Sequence, residues 1–214
     1  MKFDKDDLLL YGVTDRSWLG EKSLVQAVEE AIRGGVTCIQ LREKAMEQSA
    51  FLEEARAVCA LCREKKVPFL VNDDIEVALQ SDADGVHVGQ HDLDAARVRT
   101  LIGPDKILGV SAQTVEQARK AEADGADYLG VGAVFPTDTK QDADAVSYEM
   151  LREICHAVKI PVVAIGGIHL ENLLTLRGSG IAGVALVSAI FASAKIEVDC
   201  KALRAAAEEA VQPC

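Results

Sequence analysis

The sequence predicts an α/β protein folded as a single-domain (β/α)8 TIM barrel across residues 1–214. Three observations carry this expectation. Eight short, mostly apolar runs recur from end to end, as parallel strands covered on both faces require. Segments with apolar residues at helical spacing separate them. Glycine, proline and capping residues fall where one pattern gives way to the other.

The strand candidates, in order, are Leu8–Val13, Cys38–Leu41, Phe69–Val71, Gly85–Val88, Ile107–Val110, Tyr128–Val134, Val162–Ile165 and Val184–Val187. Ser23 can cap the first helix, where Leu24, Ala27, Val28, Ala31 and Ile32 share a face, and Gly34-Gly35 can end it. Leu52, Ala55, Val58, Cys59 and Cys62 form the apolar face of the second helix. Pro68 stands just ahead of the third strand, where a missing donor does little harm. Thr114 opens the helix after the fifth strand, and Gly125 closes it. Ser147, with Glu149 nearby, starts a helix whose face carries Leu151, Ile154, Cys155 and Val158. Pro161 precedes the seventh strand, and Gly178 and Gly180 follow a later helix. An open doubly wound sheet would want a glycine fingerprint after the first strand, which Tyr11-Gly12-Val13-Thr14-Asp15 does not supply.

Composition narrows the function. A formal net charge of −11 disfavours nucleic acid and anionic membranes as partners. Met1–Leu10 does not read as a secretory signal, and no apolar run is long enough to span a bilayer. The six cysteines are expected to be reduced thiols of a cytoplasmic protein. Cys59-x-x-Cys62 lies inside a helical pattern with no matching second pair, so it reads as packing, as does Cys155-His156.

Barrels of this kind build their sites from the C-terminal ends of the strands. After the second strand, alternation puts Gln40, Arg42 and Lys44 on one side. Arginine can clamp a diphosphate with two donors, and lysine adds a point charge. The alternative is a solvated charge run paired with Glu43 and Glu47. After the third and fourth strands, Asp73 and Asp92 suit Mg2+, which takes one or two carboxylates alongside water and phosphate oxygens. Asp74 reads as a helix cap. Ser111 follows the fifth strand. Thr137-Asp138-Thr139-Lys140 follows the sixth as an anion-binding loop. Gly166-Gly167 and Val187-Ser188 follow the last two strands, where such barrels form phosphate cups. His87 could face either the barrel interior or the helix layer, and His91 sits beside Asp92.

Taken together, these motifs resemble thiamine phosphate synthase. The stretches concerned are Gln40-Leu41-Arg42-Glu43-Lys44, Asn72-Asp73, Gly85 through Leu93, Gly109-Val110-Ser111, Gly132 through Lys140, Ala164 through Ile168 and Val187 through Ile190. The resemblance implies a transferase that condenses two small molecules. These are hydroxymethylpyrimidine diphosphate and hydroxyethylthiazole phosphate, or its carboxylated form; the products are thiamine phosphate and pyrophosphate. By that resemblance Gln40, Leu41, Arg42, Glu43, Lys44, Asn72, Ser111 and Lys140 hold the pyrimidine diphosphate. Asp73 and Asp92 hold Mg2+. Thr137, Asp138 and Thr139, with Gly167, Val187 and Ser188, make up the thiazole phosphate side. Asp138 fills the variable place between the threonines, its side chain expected to point away. The acidic segment Gln141–Val146 is expected to cover the site. Arg42, Lys44, Lys140 and Ser111 are the groups expected to act in catalysis. Competing readings are a thiazole tautomerase relative, a phosphosugar epimerase or isomerase barrel, and a silent thiamine-phosphate-binding barrel. Helix faces do not fix an oligomeric state, which leaves a homo-oligomer open.

Overall fold

In a computed structural model, which describes residues 3–90, 92–137 and 145–212, eight parallel strands close into a barrel in chain order. They are β1 (Leu10–Val13), β2 (Cys38–Leu41), β3 (Phe69–Asn72), β4 (Gly85–Val88), β5 (Ile107–Ala112), β6 (Tyr128–Val131), β7 (Val162–Ile165) and β8 (Gly183–Leu186). The ring closes where Leu10, Tyr11 and Gly12 of β1 pair with Val184, Ala185 and Leu186 of β8.

Five strands differ from expectation: β3 gains Asn72, β8 runs one residue earlier at both ends, and the other three differ for local reasons. Lys5–Leu8 form a 3-10 turn capped by Asp4, so β1 starts later than Leu8. β6 stops at Val131, because the chain then folds onto the end of β7: Val134 N–H donates to Ile165 O (3.0 Å) and Phe135 N–H to Gly166 O (3.1 Å). β5 runs on to Ala112, which places Ser111 within the strand rather than after it.

The helices are α1 (Leu24–Arg33), α2 (Gln48–Lys65), α3 (Ile75–Gln80), α4 (Ala95–Ile102), α5 (Val115–Ala123), α6 (Tyr148–Ala157), α7 (Ser188–Phe191) and α8 (Ile196–Ala210). The caps fall where the sequence puts them. Ser23 and Gln26 form a reciprocal capping box at α1. Asp74, Thr114 and Ser147 accept amide hydrogens at the starts of α3, α5 and α6. After β7 the regular helix expected there is replaced by a 3-10 turn, Leu173–Leu176. The short α7 and long α8 after β8 complete the outer layer.

Alternation along each strand divides the apolar residues into two cores. Outward residues such as Leu10, Ile39, Leu41, Val71 and Leu129 pack with the helices. Cys59 and Cys62 of α2 join this layer. Burial pushes both thiols up, so they act as packing groups, as expected. Inward residues fill the barrel: Tyr11, Val13, Cys38, Leu70, Ile107, Tyr128, Val163 and Ala185, with Leu8 from the preceding turn closing the bottom. Among the described residues no helix is long and apolar enough to cross a membrane.

Gly109 is an inward position where only a missing side chain fits. A Cβ there would lie 2.2 Å from Tyr128 Cζ and 2.5 Å from His87 Nδ1. The expected result for Gly109→Ala is a loss of about 1–3 kcal/mol, the usual range for overpacking a core. Urea unfolding measures it, and an unchanged midpoint would mean that the interior yields more than its packing suggests.

Candidate active site

The inward side chains near the C-terminal strand ends surround a cavity of about 290 Å3. Its floor is polar and continuous. Gln40 Nε2 donates to Tyr11 Oη at 2.7 Å. Tyr11 Oη lies 2.8 Å from Tyr128 Oη, and Tyr128 Oη 2.8 Å from His87 Nδ1. His87 Nε2 is 3.0 Å from Ser111 Oγ. Gln90 Nε2 donates to Ser111 O at 2.6 Å. The series uses residues of β1, β2, β6, β4 and β5, brought into adjoining layers by strand register. Burial pushes the Tyr11 and Tyr128 phenols well above their ordinary range, so both remain protonated donors.

The walls add Asn72 from β3, Ile165 and the Gly166-Gly167 turn after β7, and Val187 and Ser188 after β8. Gly166 and Gly167 both have left-handed φ values, 98° and 64°. A Cβ on Gly167 would fall 2.4 Å from Pro136 O, so glycine here lets the β6 and β7 loops touch. Asn172 clamps the turn from behind, its Nδ2 donating to Gly167 O at 2.8 Å.

Above this cavity lies a wider groove of about 910 Å3, bordered by Trp18, Arg42, Lys44, Pro136, Thr137, Gly167 and Ser188. Arg42, Thr137, Gly167 and Ser188 border both spaces. Thr14 sets the position of Arg42: its Oγ1 accepts the Arg42 N–H at 3.0 Å, while its own N–H donates to Gln40 O at 2.9 Å. Among the described residues neither Arg42 nor Lys44 enters an ion pair, so the expected alternative of pairing with Glu43 and Glu47 is not seen.

A family model for thiamine monophosphate synthase matches residues 10–190. The thiamine-phosphate synthase of Ruminiclostridium cellulolyticum is 52% identical over 193 residues, covering 90% of this chain and 92% of that protein. The chloroplastic thiamine biosynthetic bifunctional enzyme TH1 of Arabidopsis thaliana is 51% identical over 88% of this chain, which spans only 37% of that longer protein. Among solved structures, thiamine phosphate pyrophosphorylase from Pyrococcus furiosus superposes with a TM-score of 0.90 at 39% identity, covering 97% of this chain and 99% of that one. The chain belongs to the thiamine monophosphate synthase family.

Within this synthase-family barrel, the expected site residues do not all face one space. Gln40, Arg42, Asn72, Ser111, Thr137, Gly167, Val187 and Ser188 line the cavity, and Lys44 lines the groove. Leu41 does not join them; alternation turns it into the outer core. Glu43 is turned to Arg16, which donates from Nε to its two oxygens at 2.9 and 3.0 Å and also pairs with Glu54. Asp73 follows β3 in a left-handed conformation (φ 62°), its N–H donating to His87 O at 2.8 Å. Asp92 Oδ2 accepts the Gly89 N–H at 2.7 Å, beside a small cavity between α4 and α5. Asp138, Thr139, Lys140 and positions 141–144 of the acidic segment lie outside the described residues, as does His91. Sequence reasoning missed Tyr11 and Tyr128 and left the direction of His87 open. Their signal was present: a tyrosine within a buried strand needs a partner for its hydroxyl.

Burial raises the Glu43 carboxyl above its ordinary range, and Arg16 opposes this. The side chain of Glu43 is only 5% exposed, so removing its partner leaves a largely buried charge. Arg16→Met is expected to destabilise the fold by about 1–3 kcal/mol at pH 8. A carboxyl with a raised folded pKa binds its proton more tightly folded than unfolded. Stability therefore falls as pH rises through that interval, and the Arg16→Met penalty shrinks toward pH 4. Denaturation of both proteins across this range tests the sign; a penalty independent of pH would remove Glu43 as its origin.

Proposed function

We propose that the mouth of the barrel joins hydroxymethylpyrimidine diphosphate to hydroxyethylthiazole phosphate and releases pyrophosphate, with Mg2+ as cofactor. One observation carries this reading. In a chain of the thiamine monophosphate synthase family, Arg42, Thr137, Gly167 and Ser188 converge from four strand ends on one opening. An anionic diphosphate and a second phosphate are the ligands such a rim suits.

In this reading Arg42, Lys44 and Lys140 hold the diphosphate. Thr137, Thr139, the Gly167 amide and Ser188 hold the thiazole phosphate. Gln40 and Asn72 orient the pyrimidine, and Ser111 donates to the diphosphate. The methylene–oxygen bond breaks, and pyrophosphate departs with the bonding pair. The thiazole nitrogen then gives its lone pair to the methylene carbon, so no enzyme nucleophile is needed. Ile165, Ile168, Ala185 and Val187 line the reaction space and help to keep water from the electron-poor methylene. Cations at the rim favour the charge that builds on the leaving group.

The donor set fits the metal. Asp73 and Asp92 are hard oxygen ligands after adjacent strands. Among the described residues no three carboxylate, histidine or cysteine groups cluster to hold a metal by themselves. Two carboxylates suit Mg2+ when phosphate oxygens and water complete the shell. With Asp92 Oδ2 on the Gly89 amide, Oδ1 is its candidate ligand atom. Bound there, Mg2+ would supply neutralisation of the leaving diphosphate. The free thiols Cys38, Cys59, Cys62, Cys155 and Cys200 fit a cytoplasmic setting.

Pyrophosphate release from the purified protein tests the reading. The expected outcome is release that requires both heterocyclic phosphates and Mg2+, with thiamine phosphate formed in equal amount. Release from neither combination, with tight binding of the thiazole phosphate alone, would favour a tautomerase or binding role instead. Asp92→Ala is expected to keep the fold and lose the metal-dependent turnover; wild-type activity in that variant removes Asp92 from the metal site. Ser188→Ala is expected to raise KM for the thiazole phosphate about tenfold, the effect of losing a hydrogen bond to a charged group. A selective loss of pyrimidine affinity instead would reverse the assignment of the two half-sites.

A further inference from the structure

The series of hydrogen bonds on the cavity floor is longer than binding alone requires. Five side chains are joined end to end, from Gln40 on β2 to Ser111 on β5, and the three inner members are each at least nine-tenths buried. Both ends reach the cavity. Each hydroxyl carries one proton, and a neutral imidazole carries one on either nitrogen. Fixing the direction of one bond therefore tends to fix all of them.

With His87 neutral, two polarities run through the whole series in a single direction. In the first, Gln40 Nε2–H donates to Tyr11, Tyr11 O–H to Tyr128, Tyr128 O–H to His87 Nδ1, and His87 Nε2–H to Ser111 Oγ. In the second every bond is reversed, with the Gln40 amide flipped and the His87 proton on Nδ1. The two differ in what they offer the cavity. The first presents the Gln40 carbonyl oxygen at one end and directs the Ser111 O–H into the cavity at the other. The second presents an amide N–H at the first end and spends the Ser111 proton on His87.

We propose that Tyr11, Tyr128 and His87 are positioning residues that hold the first polarity, so that Ser111 always meets substrate as a donor. This rests on the proposed condensation, whose diphosphate is an acceptor near Ser111 and whose aminopyrimidine has N–H donors for Gln40. The Gln40 amide already stands in the matching orientation. His87 is held between Tyr128 Oη and Ser111 Oγ, with the bare Gly109 leaving room for its contact with Tyr128. Buried networks of this kind act as a unit because each bond polarises the next.

Nitrogen-15 NMR of histidine-labelled protein reads the polarity directly, with His87→Asn assigning the His87 signals among the four histidines. In the complex with hydroxymethylpyrimidine diphosphate and Mg2+, the expected state is neutral His87 with its proton on Nε2. A proton on Nδ1 overturns the proposal even if turnover is normal. The expected tautomer in a protein without turnover would leave the polarity standing and remove the synthase reading, so the two fail separately. A double-mutant cycle supplies the functional test. Tyr128→Phe, checked for folding by its NMR spectrum, is expected to lower kcat about tenfold. In a Ser111→Ala background it is expected to lower kcat less than about twofold, because its effect runs through the serine. Equal losses in both backgrounds would make Tyr128 structural only and overturn its positioning role.

Discussion

The constraint on which the site depends is the closure of the barrel at one register. Once Tyr11 lies opposite Cys38 and Ala185, and Gly109 opposite His87 and Tyr128, the height of every inward side chain is set. A shift of one residue in any strand would exchange inward and outward faces, sending Tyr128 into the helix layer and an aliphatic neighbour into the cavity. The polar floor makes such a shift more costly. A buried hydroxyl without a partner is unfavourable by about 1–3 kcal/mol, and here several would lose theirs together. The same bonds that shape the cavity thus select the register, and no buried side-chain nitrogen or oxygen among the described residues is left without a partner.

Above the floor, several of the described loop residues are tied to one another. Thr14 joins the end of β1 to Arg42, and Arg16 reaches Glu43 and Glu54. Gly166 and Gly167 bring the β7 turn against Phe135 and Pro136, and Asn172 holds that turn from the helix side. In the proposed reaction these groups would have less freedom to lose when a ligand arrives. Glu43 serves through this scaffolding: its pairing with Arg16 turns it from the rim and steadies the loop that carries Arg42 and Lys44.

The fold was legible because its signals are local and repeated. Eight apolar runs, the caps at Ser23, Thr114 and Ser147, and the glycines after helices are each decided by near neighbours in the chain. The failures came where distant contacts decide. Nothing near Val134 announces that the chain there pairs with Ile165 instead of prolonging β6. The rim residues were legible by type and by strand end, but not their directions. Leu41 and Glu43 share a motif with Gln40 and Arg42, yet alternation sends Leu41 outward and a distant arginine claims Glu43. Tyr11, His87 and Tyr128 meet only in three dimensions, with 117 residues separating the two tyrosines.

The charge distribution completes the argument. A chain with a net charge of −11 repels a diphosphate at long range, and ordinary salt screens this beyond about 8–10 Å. What the ligand meets at the mouth is then decided by nearby groups. Several surface arginines and lysines are paired, as Arg63 is with Asp82, Lys120 with Asp94 and Lys201 with Glu197. Arg42 and Lys44 are not, among the described residues, and the nearest carboxylate in sequence, Glu43, is held by Arg16. Turning Glu43 away therefore does more than steady a loop. It keeps one negative charge from pairing with Arg42 and Lys44, which share their groove with the carboxylate of Asp15.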